Sequence, residues 1–141
     1  MSQPCSGATS GTTLSRTEGG RAQFLVAGER LLAGQHLDAR LETFSALMRG
    51  DGNLVVYCNR DWSEVWTSGT EGHPEASVLV QDNGDVVICA ADGELLWNAE
   101  TGGHPGAFMH LHDDGLLVVH DFYRSQLWSS NGTGQAEHCR S

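Results

Sequence analysis

One constant interval constrains this chain more than any other feature. Tryptophans stand at Trp66, Trp97 and Trp128, with 97 − 66 = 31 and 128 − 97 = 31. The tripeptide Gly72-His73-Pro74 returns as Gly103-His104-Pro105, and 103 − 72 = 31 again. Upstream of each tryptophan lies a related phrase: DGNLVVY from Asp51, NGDVVIC from Asn83 and DGLLVVH from Asp114. Three separate landmarks with one spacing mark an internal repeat. Each unit is then one supersecondary structure that buries its apolar face only against its neighbours.

The units read as β-structure. Val and Leu dominate LVVY, VVI and LLVV, and Asp-Gly or Asn-Gly before each run supplies the positive φ angles of a short hairpin turn. In the first unit the strands are expected at 44–49, 54–58 and 64–68. The looser turn between the last two is one position longer than its counterpart in the second unit. From Asp51 to Trp66 the interval is 66 − 51 = 15, and from Asn83 to Trp97 it is 97 − 83 = 14. Alternation assigns the faces. Met48, Leu54 and Val56 fall on one face, with Arg49, Val55 and Tyr57 on the other. In the third unit Leu111, Leu117 and Val119 oppose His112, Val118 and His120. One hairpin cannot bury its apolar face alone. Three sheets around a pseudo-threefold axis can, with the tryptophans packed toward the centre. Phe24-Leu25-Val26 and Glu29 to Leu32 read as further strands ahead of the repeats, and Gly34 to Leu37 continues that segment into the first unit. Residues 1–21 and 134–141 read as polar tails flanking one domain at 22–133.

Composition narrows the partners. The 141 residues include 18 glycines, which suits a turn-rich protein. Eight basic residues, all arginine, face eighteen acidic ones for a formal charge of −10. Phosphate recognition needs clustered Lys/Arg, so nucleic acid and anionic membranes are not expected partners. No apolar run approaches the ~18 residues of a spanning helix, so membrane insertion is not expected. The start of the chain lacks the basic and apolar regions of a signal peptide. Localisation stays open, with secretion slightly preferred over the cytoplasm.

GERLLAGQHLDARLETFSALMRGDGNLVVY, together with EVWTSGT, ELLWNAET and QLWSSNGT at the unit ends, resembles the monocot mannose-binding (bulb-type) lectin family over roughly residues 22–133. The resemblance implies an all-β fold, the β-prism II, with three four-stranded antiparallel sheets. It implies a non-catalytic lectin for mannose-type glycans, and a homodimer formed by exchange of C-terminal strands. Several weak sites per dimer would act together. The family's sugar motif is Gln-x-Asp-x-Asn-x-Val-x-Tyr. Its amide and carboxylate groups bond sugar hydroxyls in both senses, Val touches the ring, and Tyr adds a hydroxyl. The first unit carries Asp51, Asn53, Val55 and Tyr57, with Arg49 in place of Gln, and is the expected site. Arg49 supplies only donors and has Asp51 within reach. The second keeps Gln81 and Val87, has Asn83 and Asp85 in swapped order, and places Cys89 in the Tyr slot. The third keeps Asp114 and Val118, with His112, Leu116 and His120 elsewhere. These two rank behind the first. The alternative is a prism scaffold that has lost sugar recognition and binds a protein or itself.

His110, His112 and His120 share a face with Asp114, and a His/His/Asp set is able to bind a divalent metal. The preferred reading is partly exposed histidines in a lost sugar pocket, with no metal or cofactor. His73 and His104, each before a proline in a turn, read as structural. Four cysteines allow three pairings. Cys58 continues the core face and Cys89 lies on the outer face, so these two should not bond to each other. Cys5 and Cys139 are placed to clip the tails, against the alternative of four free thiols. Asn131-Gly132-Thr133 fits the N-glycosylation pattern. No GxSxG, HExxH or phosphate-loop motif occurs, and the chain has no lysine for Schiff-base chemistry. The acidic residues are scattered over turns rather than set as a facing pair. An enzyme is not expected.

Overall fold

The computed structural model describes residues 12–13 and 22–130, and no helix occurs among them. The strands, in chain order, are β1 (Thr12–Thr13), β2 (Phe24–Leu25), β3 (Glu29–Leu31), β4 (His36–Asp38), β5 (Phe44–Met48), β6 (Leu54–Cys58), β7 (Glu64–Thr67), β8 (Ser77–Val80), β9 (Val86–Cys89), β10 (Leu95–Asn98), β11 (Phe108–Leu111), β12 (Leu117–His120) and β13 (Gln126–Ser129). They form three sheets, ordered β4-β5-β6-β7, β1-β3-β8-β9-β10 and β13-β12-β11-β2. Each repeat unit supplies three consecutive antiparallel strands to one sheet.

The fourth antiparallel strand of every sheet comes from one short segment. β2 pairs with β11, β3 with β8 and β4 with β5. Residues 24–38 thus visit all three sheets in turn. Each visit buries one leucine completely: Leu25, Leu31 and Leu37. Thr12–Thr13, read from sequence as tail, adds a short parallel strand beside β3. It covers what would otherwise be a sheet edge with unpaired backbone groups.

The inner faces follow the alternation. Met48, Leu54 and Val56 of the first unit and Leu111, Leu117 and Val119 of the third are fully buried in one shared core. Trp66, Trp97 and Trp128 pack against that core and meet one another edge-on, with ring centroids 5.9, 5.5 and 5.2 Å apart. This edge-to-face geometry suits the ring quadrupoles.

The two described cysteines fall on the faces that alternation gives them. Cys58 lies in the central core, and Cys89 lies in a separate outer cluster with Leu79 and Val87. Both are disulfide-bonded, which overturns the alternative of four free thiols. Cys5, Cys139 and the Asn131 sequon lie outside the described residues.

Candidate functional site

The three hairpin tips are built alike. The first residue of each turn bonds the strand that follows: Arg49 N–H to Asn53 O (2.9 Å), Gln81 N–H to Asp85 O (2.8 Å) and His112 N–H to Leu116 O (2.9 Å). Asp51, Asn83 and Asp114 each accept, through Oδ1, the backbone N–H two residues on, at 3.1, 2.9 and 3.0 Å. That is an Asx turn, so these side chains shape the turn whether or not a ligand is present. The Gly-His-Pro tripeptides clamp the first two tips. His73 N–H donates to Asp51 O (3.0 Å) and His104 N–H to Asn83 O (2.9 Å). A Cβ on Gly52 or Gly84 would collide with the His73 or His104 carbonyl, at φ of 98° and 97°.

In the first unit Arg49, Asp51 and Tyr57 converge and are occupied by one another, while the side chains of Asn53 and Val55 turn to other partners. Arg49 lies across the tip, donating to Asp51 Oδ2 (2.6 Å), Tyr57 Oη (3.4 Å) and Glu64 Oε2 (3.4 Å). The bond to Tyr57 raises the Arg49 pKa above the ordinary guanidinium value, with Asp51 adding to it. Asn53 is only 4% exposed. Its Oδ1 accepts from Ser68 Oγ (3.0 Å), Gly69 N–H (3.0 Å) and Thr70 N–H (3.3 Å), while its Nδ2 donates to Glu71 (3.4 Å). Val55, expected to touch a sugar ring, is wholly buried. An apolar surface lies instead at Trp62, 68% exposed and edge-on to Tyr57 at 6.0 Å. Trp62 has φ of 62°, a left-handed conformation rare for so bulky a residue. Sequence reasoning missed it, although the extra residue in this looser turn was the available signal.

The second and third tips diverge. Asp85 takes the acceptor role of Asn53, receiving Asn98 Nδ2 (3.1 Å) and Thr101 N–H (3.1 Å), which explains why the swapped Asn/Asp order is tolerated. Val87 and Cys89 sit in the outer apolar cluster and are nearly sealed, while Gln81 stays partly exposed. In the third unit Val118 is buried and Asp114 serves the turn. His112 and His120 bring their Nε2 atoms to 3.0 Å, and His110 joins them. Burial pushes the His110 pKa down to about 4, with His112 and His120 reinforcing the shift. The His120 pKa is also lowered by burial, partly opposed by its bond to the Arg124 carbonyl.

Solved structures of the same architecture include a lectin from garlic, Allium sativum, at 31% identity and TM-score 0.64, covering 75% of this chain and 97% of that one. Monomeric monocot mannose-binding lectins from Gastrodia elata match at 28% identity and TM-score 0.71, covering 78% and 97%. The mannose-specific agglutinin from snowdrop bulbs, Galanthus nivalis, complexed with methyl-α-D-mannoside, matches at 25% identity and TM-score 0.64, covering 77% and 95%. No family model and no curated protein matches the sequence. The three-sheet architecture is that of the β-prism II lectins. This chain belongs to the monocot mannose-binding lectin family.

Proposed function

We propose that the chain is a non-catalytic carbohydrate-binding lectin for mannose-type glycans, with its site at the first hairpin tip. The observation that carries this is the convergence of Arg49, Asp51 and Tyr57 within hydrogen-bond reach beside the exposed ring of Trp62. The carboxylate and hydroxyl suit sugar hydroxyls, and the aromatic face suits the apolar side of a pyranose. Arg49 occupies these groups in the free protein and must swing aside for a ligand. Its ion pair with Asp51 is about a third exposed on both sides, so it is a weak latch. The second tip, with Gln81, Asn83, Asp85 and Val87, offers fewer accessible groups. Its carboxylate and its turn amide already serve the fold.

Calorimetric titration with methyl-α-mannoside tests this reading. Arg49→Gln places the family's amide beside Asp51 and releases the carboxylate. Affinity is expected to rise about tenfold, the worth of one good hydrogen bond. Trp62→Ala is expected to weaken binding by a similar factor without lowering stability, since it removes a strained residue from the surface. A mannoside that binds neither wild type nor Arg49→Gln at millimolar concentration removes the sugar reading and leaves the scaffold alternative. We also infer a homodimer formed by exchange of β13, supported by the position of that strand at the edge of its sheet among the described residues.

A further inference from the structure

We propose that His110, His112 and His120 form a binding site for one divalent transition-metal ion of the zinc type, built where the third sugar pocket of the fold would lie. The register brings them together. His110 and His112 lie two residues apart on the same face of the β11 arm, and His120 stands on β12, which pairs antiparallel with β11. One nitrogen from each ring lies within 4.8 Å of the others. Three ligands on a tetrahedral ion with Zn–N of about 2.0–2.1 Å stand roughly 3.4 Å apart. His112 and His120 are already near that separation at 3.0 Å. A small rotation of His110 closes the set, and its ring is already 4.3 Å from that of His112.

The surroundings fit a ligand role. His120 Nδ1 lies 3.3 Å from the Arg124 carbonyl. Donation to that carbonyl leaves Nε2 as a lone pair aimed at the other rings, the outer bond that orients metal-binding histidines. In the free protein one Nε2–H must then bridge His112 and His120. The ion replaces that proton, and His112 moves its hydrogen to Nδ1. Phe108 stacks on His120 at 5.2 Å and Phe24 meets His110 edge-on at 6.1 Å, so two sides are apolar and fixed. The open side faces a cavity of about 400 Å³ lined also by Gln23, Val26 and Arg124. A water or an anionic ligand group completes the tetrahedron there, with Arg124 providing positive charge. Asp114, which the sequence offered as the third ligand, instead accepts Leu116 N–H in the turn. The site is independent of sugar binding at the first tip.

The test is titration of the full chain with zinc chloride in a non-coordinating buffer at neutral pH, by calorimetry. Cobalt chloride is followed in parallel by its visible absorption. The expected result is one ion per chain, with cobalt giving the intense visible bands of low-coordinate nitrogen ligation. His112→Gln and His110→Ala should each lower zinc affinity at least about tenfold, with tryptophan fluorescence unchanged as proof of folding. His104→Gln, on the Gly-His-Pro turn, should bind as wild type does. Absence of one-to-one binding, or equal affinity in folded His112→Gln and His110→Ala proteins, would overturn the proposal.

Discussion

Asn53, a motif residue by sequence, serves the fold with both ends of its amide. Its Oδ1 collects three donors from the 68–70 turn in a nearly sealed position. Asn53→Ala leaves those donors without their acceptor, and a buried unsatisfied group costs about 1–3 kcal/mol. The expected outcome is a lower urea midpoint with an unchanged slope, before any sugar is added. Asn53→Asp keeps the acceptor oxygens, as Asp85 does in the second unit, and should retain most of the stability. Equal stability of Asn53→Ala and wild type would show that the turn is held by its other bonds. Asp51 and Asn53 were legible in the sequence as turn and motif residues. The pairing of Asp51 with Arg49 was in reach there too, two residues apart; that of Asn53 with Ser68 was not, because it depends on side-chain direction and on strands that meet only in the folded sheet. Trp62 was hidden for the opposite reason: a lone aromatic in a loop carries no period.

The hairpins of the three units were readable because their signals are local: a turn dipeptide, an alternating run and a fixed interval. Residues 24–26 and 29–32 were read as strands and 34–37 as their continuation, but the segment was not read as what it is, the fourth strand of all three sheets. Its leucines recur at a constant interval, 31 − 25 = 6 and 37 − 31 = 6, and each is fully buried in a different sheet. Strands of two or three residues have too little length to show a period, and their partners lie far along the chain, Leu31 opposite Val78 for example. Leu31→Ala leaves a cavity between β3 and the core, so the expected loss is about 2–5 kcal/mol. Leu32→Ala, at 38% exposure, should change stability by about 0.5 kcal/mol or less. Thermal melts of the two variants check the contrast. Similar melting points would mean that the segment decorates the sheets instead of joining them.

At the scale of the whole molecule the three sheets meet at the tryptophans, and one of these, Trp128, rides on β13. Its ring lies 5.5 Å from Trp66 and 5.2 Å from Trp97. Exchange of β13 between two chains preserves every one of these contacts, because the partner strand brings the same tryptophan and the same ladder. Such swaps therefore cost little in contacts. The turn that would open, Asp121 to Ser125, favours it. Arg124 sits there at φ of 72°, and Phe122 and Tyr123 are 69% and 83% exposed. An extended hinge relieves the left-handed residue and allows both rings to be buried between the chains. It does so at the loss of the turn's own bonds and of the Arg124 carbonyl from His120, so the three-histidine site keeps that orienting bond only in the closed turn. Light scattering is expected to give twice the 15.2 kDa chain mass, and a double change, Phe122→Ser with Tyr123→Ser, should shift the population to monomer with the fold intact. A mass of one chain at every concentration would remove strand exchange. The tryptophan triad would then be assembled from a single chain, and any multivalency would have to come from the sites within it.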